Sequence, residues 1–256
     1  GLFIQNGINS INPVDVSAFR RPGAEVKEGL LPVEMLYFSQ SMTENLSMEA
    51  FYQLKWAPTV VDNCGTFFGG DVAAKGCNDR LIWFGADRPQ GDPTLGSSIP
   101  TPPGLASPTA YIARAKKDQD ASDSGQFGVA FRYFAPQLGD TEFGFYAMNY
   151  HSRAPLYSNI KGEVGQPVSG INGVANGASG YFFEYPEDIR LYGVSFQTDV
   201  AGASVAGELS YRPNMPLQIN TGDMSRTSLP TAIKADGNLD NTYRGGFAAG
   251  EEIRGY

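Results

Sequence analysis

Residues 46–56 read LSMEAFYQLKW, where Leu46, Met48, Ala50, Tyr52, Leu54 and Trp56 alternate with Ser47, Glu49, Phe51, Gln53 and Lys55. Successive side chains of a strand point to opposite faces, so this pattern predicts a long strand with one apolar face. The segment before it, VEMLYFSQS at 33–41, is joined through Met42, Thr43, Glu44 and Asn45, a connection short enough for an antiparallel hairpin. Both faces are apolar over 33–38, which leaves the phase of that first strand open. Two more hairpins follow the same design. One runs along 127–134, turns through 135–140 and returns along 141–151; the other runs along 191–200, turns at Ala201 and Gly202, and returns along 203–212. In the last, Tyr192, Val194 and Phe196 alternate with Gly193, Ser195 and Gln197, and Val205, Leu209 and Tyr211 alternate with Ser204, Glu208, Ser210 and Arg212.

A sheet packed on a protein core and a sheet facing lipid give the same alternation. Length separates them, because these strands exceed the mean of about five or six residues and approach the roughly nine to eleven of a tilted bilayer-crossing strand. Connections separate them too: turns within hairpins are short, while 57–126 and 152–190 lie between hairpins, as in outer-membrane barrels. The expected fold is all-β, an antiparallel up-and-down meander of long hairpins forming part of an outer-membrane β-barrel, with 1–256 as one barrel region. A soluble β-sandwich is the competing architecture. In the barrel, Leu46, Met48, Tyr52, Leu54, Trp56, Phe127, Val129, Phe131, Tyr192, Val194, Phe196, Val205, Leu209 and Tyr211 face lipid. Glu49, Lys55, Arg132, Glu142, Glu208 and Arg212 line the lumen, with Phe51 as an apolar exception among them.

The connection 57–126 reads as a long loop or a folded cap or plug, anchored by Trp83 and Phe84 in the short apolar run LIWFG. The connection 152–190 reads as a second long loop, with a Gly/Asn/Ser stretch and then YFFEY as a short strand. Cys64 and Cys77 are spaced for a disulfide closing a surface loop, which implies an oxidising compartment; two unrelated thiols are the alternative. Asp118, Asp120 and Asp123 do not follow the calcium-loop spacing and read as solvated loop residues. Near the start, Asp15 is placed to cap a short helical turn through 19–21 before Pro22 ends it, and Arg20 and Arg21 read as a surface pair.

Composition trims the function classes. With 19 basic and 27 acidic residues the net charge is −8, the wrong sign for a phosphate-neutralising protein, so no nucleic acid partner is expected. One histidine and two cysteines cannot supply a common zinc site, and no metal or cofactor is expected. No apolar run reaches the roughly 18 to 20 residues of a membrane helix. The opening GLFIQNGINS has no signal-peptide pattern, so for an exported protein that peptide has been removed or lies upstream. His151 is the sole candidate histidine base, but its neighbour Ser152 points to the opposite face of a strand, and neither Ser195 nor Ser210 belongs to a nucleophile-elbow motif. No catalytic residue is expected; His151 reads as a strand-end residue bonding loop backbone.

Several segments carry a resemblance: FIQNGIN with INPVDVS, RRPGAEVKEGLLPV, LSMEAFYQLKW, NYHSR with Pro155, and YPEDIRLYGVSF. Together they resemble a little-characterised Gram-negative outer-membrane family, known mainly as a domain of unknown function and common in pseudomonads and other proteobacteria. The resemblance implies a β-barrel in contact with outer-membrane lipid. It also implies a neighbouring periplasmic accessory protein, an inner-membrane exporter of the resistance-nodulation-division class, and a part in moving hydrophobic or lipid-like molecules across the envelope. It supplies no catalytic residues. Three hairpins give six strands, fewer than the roughly eight of the smallest such barrels, so the chain is expected to be a piece of a larger one. The expected function is a conduit or docking component of an envelope transport system. The rivals are a soluble secreted all-β binding protein and an outer-membrane lipid-ester hydrolase using His151.

Overall fold

The computed structural model describes residues 10–70, 72–74, 80–84, 110–162, 179–228, 247–248 and 250–256. Its strands in chain order are β1 (Met35–Ser41), β2 (Leu46–Gln53), β3 (Arg80–Phe84), β4 (Ala110–Arg114), β5 (Phe127–Ala135), β6 (Thr141–Tyr150), β7 (Leu156–Ile160), β8 (Gly180–Glu184), β9 (Ile189–Val200), β10 (Ala203–Tyr211) and β11 (Glu252–Ile253). The helices α1 (Val26–Gly29) and α2 (Thr221–Ser228) are short. The chain divides into two compact units, one of 1–60, 120–154 and 185–216, the other of 61–119, 155–184 and 217–256. Within the expected barrel region 1–256, the connection 57–126, read as a long loop or folded cap, contributes β3 and β4 to the second unit, and 152–190, read as a second long loop with YFFEY as a short strand, contributes β7 and β8.

The first unit is built on an antiparallel six-stranded sheet in the order β1-β2-β5-β6-β9-β10, the expected meander of three hairpins. Among the described residues the sheet does not close, and β1 and β10 are its edges. Its register runs in straight rows. Met48 faces Phe131, which faces Phe145, Val194 and Leu209 in turn, all on one side. One residue away, Ser47, Arg132, Gly144, Ser195 and Glu208 form the matching row on the other side. Pairing also sets the phase of β1: Leu36 and Phe38 align with Tyr52 and Ala50, whereas Tyr37 and Ser39 align with Phe51 and Glu49.

The turns fit their sequences to different degrees. β9 and β10 are joined by Ala201 and Gly202, both in the left-handed region at φ 52° and 85°. Positive φ at both central residues is the two-residue turn whose twist matches a hairpin, but it suits glycine or asparagine better than alanine. Between β5 and β6 a 3-10 turn at Pro136–Leu138 is stopped by Gly139 at φ 71°. Near the start, Asp15 Oδ1 accepts from the Ser17 and Ala18 amides at 3.0 and 3.3 Å, just ahead of a 3-10 turn at Ala18–Arg20 whose N-cap position is Ser17, one residue earlier than the expected turn at 19–21.

The second unit holds a mixed sheet ordered β11-β7-β8-β4-β3, in which β4 and β8 run parallel. Its core joins Ile112, Tyr157, Tyr181, Phe183, Met224 and Ile253. Tyr157 and Tyr181 stack with ring centroids 5.5 Å apart, and the Tyr157 hydroxyl meets Ser225 Oγ at 3.0 Å. Burial raises the Tyr157 pKa above that of an ordinary tyrosine, while bonds to Ser225 and Asn159 oppose the shift. Asp118, expected in a solvated loop, is instead buried: Arg114 grips it with two bonds, at 3.1 and 2.5 Å, and it accepts the Phe183 amide. Glu184 is buried too, held by Ser158 Oγ and by Arg254 at 2.8 Å. Cys77 lies outside the described residues, as do the side chains of Trp83 and Phe84.

Candidate functional site: two unlike faces of one sheet

One face of the six-stranded sheet is apolar and open. Leu36, Phe38, Tyr52, Phe127, Tyr133, Phe145, Tyr192, Val194, Phe196, Val205, Leu209 and Tyr211 share it by register, and all are exposed. At about half of the 150–250 Å² an aromatic side chain offers, these residues present on the order of 1,000 Å² of apolar surface. A soluble monomer's largest patch is about 300–600 Å². Val129, Phe131, Met48 and Leu46 complete the rows between them. Leu54, just past the end of β2, is exposed as well. The glycine in this face is covered: a Cβ on Gly207 would lie 2.6 Å from the ring of its cross-strand partner Phe196.

Trp56 is a correction to the lipid-facing set. β2 ends at Gln53, so the alternation no longer applies three residues later, and Trp56 is buried against Ala121 and Tyr185. Its ring meets Tyr185 edge to face at 4.7 Å, and its indole N–H donates to Ser152 O at 3.2 Å.

The opposite face carries the charges. Arg132 Nη2 donates to Glu49 Oε2 at 3.1 Å, and Arg132 Nη1 lies 4.0 Å from Glu142 Oε1. Tyr146 Oη meets Ser195 Oγ at 3.1 Å. Glu208 lies on the Arg132 row, three strands over. Lys55 and Arg212 follow the ends of their strands: Lys55 is exposed, while Arg212 donates to Tyr150 Oη and Ser10 Oγ, both at 2.9 Å. Phe51 belongs on this face because its cross-strand partner is Gly128: a Cβ there would lie 2.5 Å from the Phe51 ring. The ring occupies the space a side chain would need.

Beside the charges this face has an apolar hollow of about 140 Å³, walled by Ile11, Met35, Tyr37, Phe51, Tyr146 and Met148, with Ala130 in its lining and Glu49 and Arg132 at its charged edge. A second hollow of about 160 Å³, beyond Arg132 at the hairpin end, is lined by Glu44, Glu142 and Ser47 among others. Ile11 is held in place because its carbonyl accepts from Gln53 Nε2 at 3.2 Å.

At the opposite end of the strands, buried Arg153 ties three segments together. It donates to Ala57 O at 2.8 Å, to Gln126 Oε1 at 3.1 Å and to Gln53 Oε1. These acceptors are neutral, and burial lowers its pKa to about 10. His151, also buried, accepts the Asp188 amide at Nδ1 (3.1 Å), so the neutral ring carries its proton on Nε2 and donates to Ser124 O at 2.8 Å. Ser122 Oγ is 3.3 Å from Nε2, a neighbour invisible in sequence because it comes from 29 positions upstream. With the proton on Nε2, that nitrogen has no lone pair to take one from Ser122. Ser152 points elsewhere, donating to Ala154 O at 2.8 Å. Among the described residues no cluster of three or more His, Cys, Asp or Glu side chains is arranged to hold a metal ion.

A family model described as a protein of unknown function, DUF1302, matches residues 1–256. No curated protein and no solved structure matches the chain.

Proposed function

We propose, for a chain that belongs to the DUF1302 family, that the six-stranded sheet is a wall segment of an outer-membrane β-barrel of a Gram-negative bacterium. The observation that carries this reading is the apolar face continuous over all six strands, backed by a mixed face on which Glu49, Arg132, Glu142 and Glu208 stand beside the buried cluster of Met148, Tyr150, Ile189 and Leu191. Strand length agrees with it. From β1, with seven residues, to β9, with twelve, the strands rise about 23–40 Å at 3.3–3.4 Å per residue, or about 18–31 Å along the normal at a 40° tilt. The apolar band of such barrels is about 25 Å tall.

In this reading the charged face lines the lumen and β1 and β10 continue the wall through further strands. The barrel serves as a conduit or docking element for hydrophobic or lipid-like molecules, working with a periplasmic accessory protein and a resistance-nodulation-division exporter. Cys64 and Cys77 form a disulfide in the oxidising envelope, and the protein has no catalytic role of its own. The test is preparation without detergent or lipid. The barrel reading predicts aggregated or incompletely folded protein that recovers β-structure in micelles. A monodisperse, fully folded monomer in plain buffer overturns it in favour of a soluble all-β binding protein.

A further inference from the structure

We propose that the apolar hollow on the charged face binds compact organic cations, a single ring or short alkyl body carrying an ammonium group. Its walls, Tyr37, Phe51, Tyr146, Met148 and Ile11, offer aromatic faces and soft thioether and aliphatic surface. An apolar cavity of about 150 Å³ accommodates benzene, so about 140 Å³ fits one six-membered ring. The hollow exists because β5 places the small side chain of Ala130 on this face between Glu49 of β2 and Tyr146 of β6, while the space over Gly128 beside it is taken by the Phe51 ring.

Charge at the edge selects the sign. Glu49, Glu142 and Glu44 line the two adjoining hollows with Arg132 as their shared cation, three carboxylates to one guanidinium. Glu49 and Glu142 keep 28% and 51% of their side-chain surface exposed, so both can take a further donor. Of the other cations read on this face, Arg212 is engaged by Tyr150 and Ser10, and Lys55 lies past the end of β2 and outside the lining of both hollows. An ammonium at the edge meets a residual negative field, and its neighbouring CH groups meet the ring faces of Tyr37 and Tyr146. A carboxylate there meets repulsion. The consequence for transport, selection of cationic amphiphiles, rests on the barrel reading; the binding does not.

The test is ligand-observed NMR on the full chain, in whatever medium holds its β-structure, with benzylammonium, benzyl alcohol and benzoate as probes. For so small a ligand the expected Kd is about 1 mM for benzylammonium, with benzoate weaker by about tenfold or more and the preference narrowed by 0.5 M salt. Glu49→Gln is expected to reduce the cation preference about threefold with little change for benzyl alcohol. Ala130→Leu, which fills the floor, is expected to weaken all three probes. Comparing the probes on the unaltered chain keeps the test valid if a variant does not fold. Benzoate binding as tightly as benzylammonium, no binding to the folded chain, or undiminished binding by folded Ala130→Leu overturns the proposal. The barrel reading fails by a different observation, a folded monomer free of detergent.

Discussion

Leu209→Lys separates a lipid-facing sheet from a water-facing one with little ambiguity. Leu209 lies in the central apolar row, next to Val194 and in line with Phe145 and Phe131. It is already 70% exposed. In water the substitution gives up only the buried fraction of a leucine, and the aliphatic stem of lysine restores much of that, so the change is expected within about 0.5 kcal/mol. In a bilayer, a lysine on the lipid face near the midplane costs about 2–4 kcal/mol. At 1.4 kcal/mol per decade, that lowers the folded-to-unfolded ratio by a factor of about 30 to 700. Ser210→Lys is the matched control, one residue along the same strand on the charged face, and is expected to change stability by less than about 1 kcal/mol. The assay is denaturant unfolding of vesicle-reconstituted protein, followed by circular dichroism and by heat-modifiable gel mobility. Leu209→Lys within 0.5 kcal/mol of the parent in vesicles, or no difference from Ser210→Lys, refutes a lipid-facing row.

Four further outcomes follow from the geometry. Ala201→Asn, replacing an alanine at φ 52° with a residue that tolerates that conformation, is expected to raise stability by about 1 kcal/mol, read as a shift in denaturant midpoint at constant slope. Gly128→Val forces a side chain against Phe51 and is expected to cost about 1–3 kcal/mol in the same assay. Arg153→Met removes a buried charge but strands the carbonyl oxygens of Gln53, Gln126 and Ala57; it is expected to cost about 2–4 kcal/mol net and to raise local hydrogen exchange near 53–57 and 126. The Lys116 hydrogen bond, opposed by partial burial, holds the Glu252 pKa below that of an ordinary glutamate. Its contribution is present above the unfolded pKa near 4.3 and is lost as pH falls through the lower folded value, amounting to under about 1 kcal/mol in this partly exposed pair. Glu252→Gln is therefore expected to flatten the acid limb of stability against pH, measured by urea unfolding between pH 6 and pH 3.

The first sheet is legible because apolar and polar residues alternate along most of its strands, most plainly β2, β9 and β10, whereas β1 has no such alternation and takes its phase from pairing with β2. Even Phe51 follows the rule once Gly128 is seen opposite it. Trp56 departs from the alternation because the strand stops at Gln53 and the chain turns its indole toward Tyr185. The second sheet shows in the sequence only as the isolated short strand YFFEY and the apolar run LIWFG, and its assembly into a sheet stays hidden for a physical reason. Gly180–Glu184 is buried at every position and Leu156–Ile160 nearly so, leaving no polar face to mark the period. Its strands are five residues long or shorter, and β4 pairs in parallel with β8 across a long stretch of chain, a contact that no local pattern announces. His151 reads in the sequence as a residue bonding loop backbone, and its bonds are to the Ser124 carbonyl and the Asp188 amide. The nearby Ser122 could be found only in three dimensions.

The measurement closest to the central claim is tryptophan quenching by lipids brominated in the acyl chain. Tryptophan is introduced at Val194 in one variant and at Ser195 in another, neighbours on opposite faces of β9, over the background of Trp56 and Trp83. The account predicts strong quenching at 194, deepest when the bromines lie near the bilayer centre, and little at 195. Equal quenching at both positions, or a folded chain whose fluorescence ignores the vesicles, contradicts it.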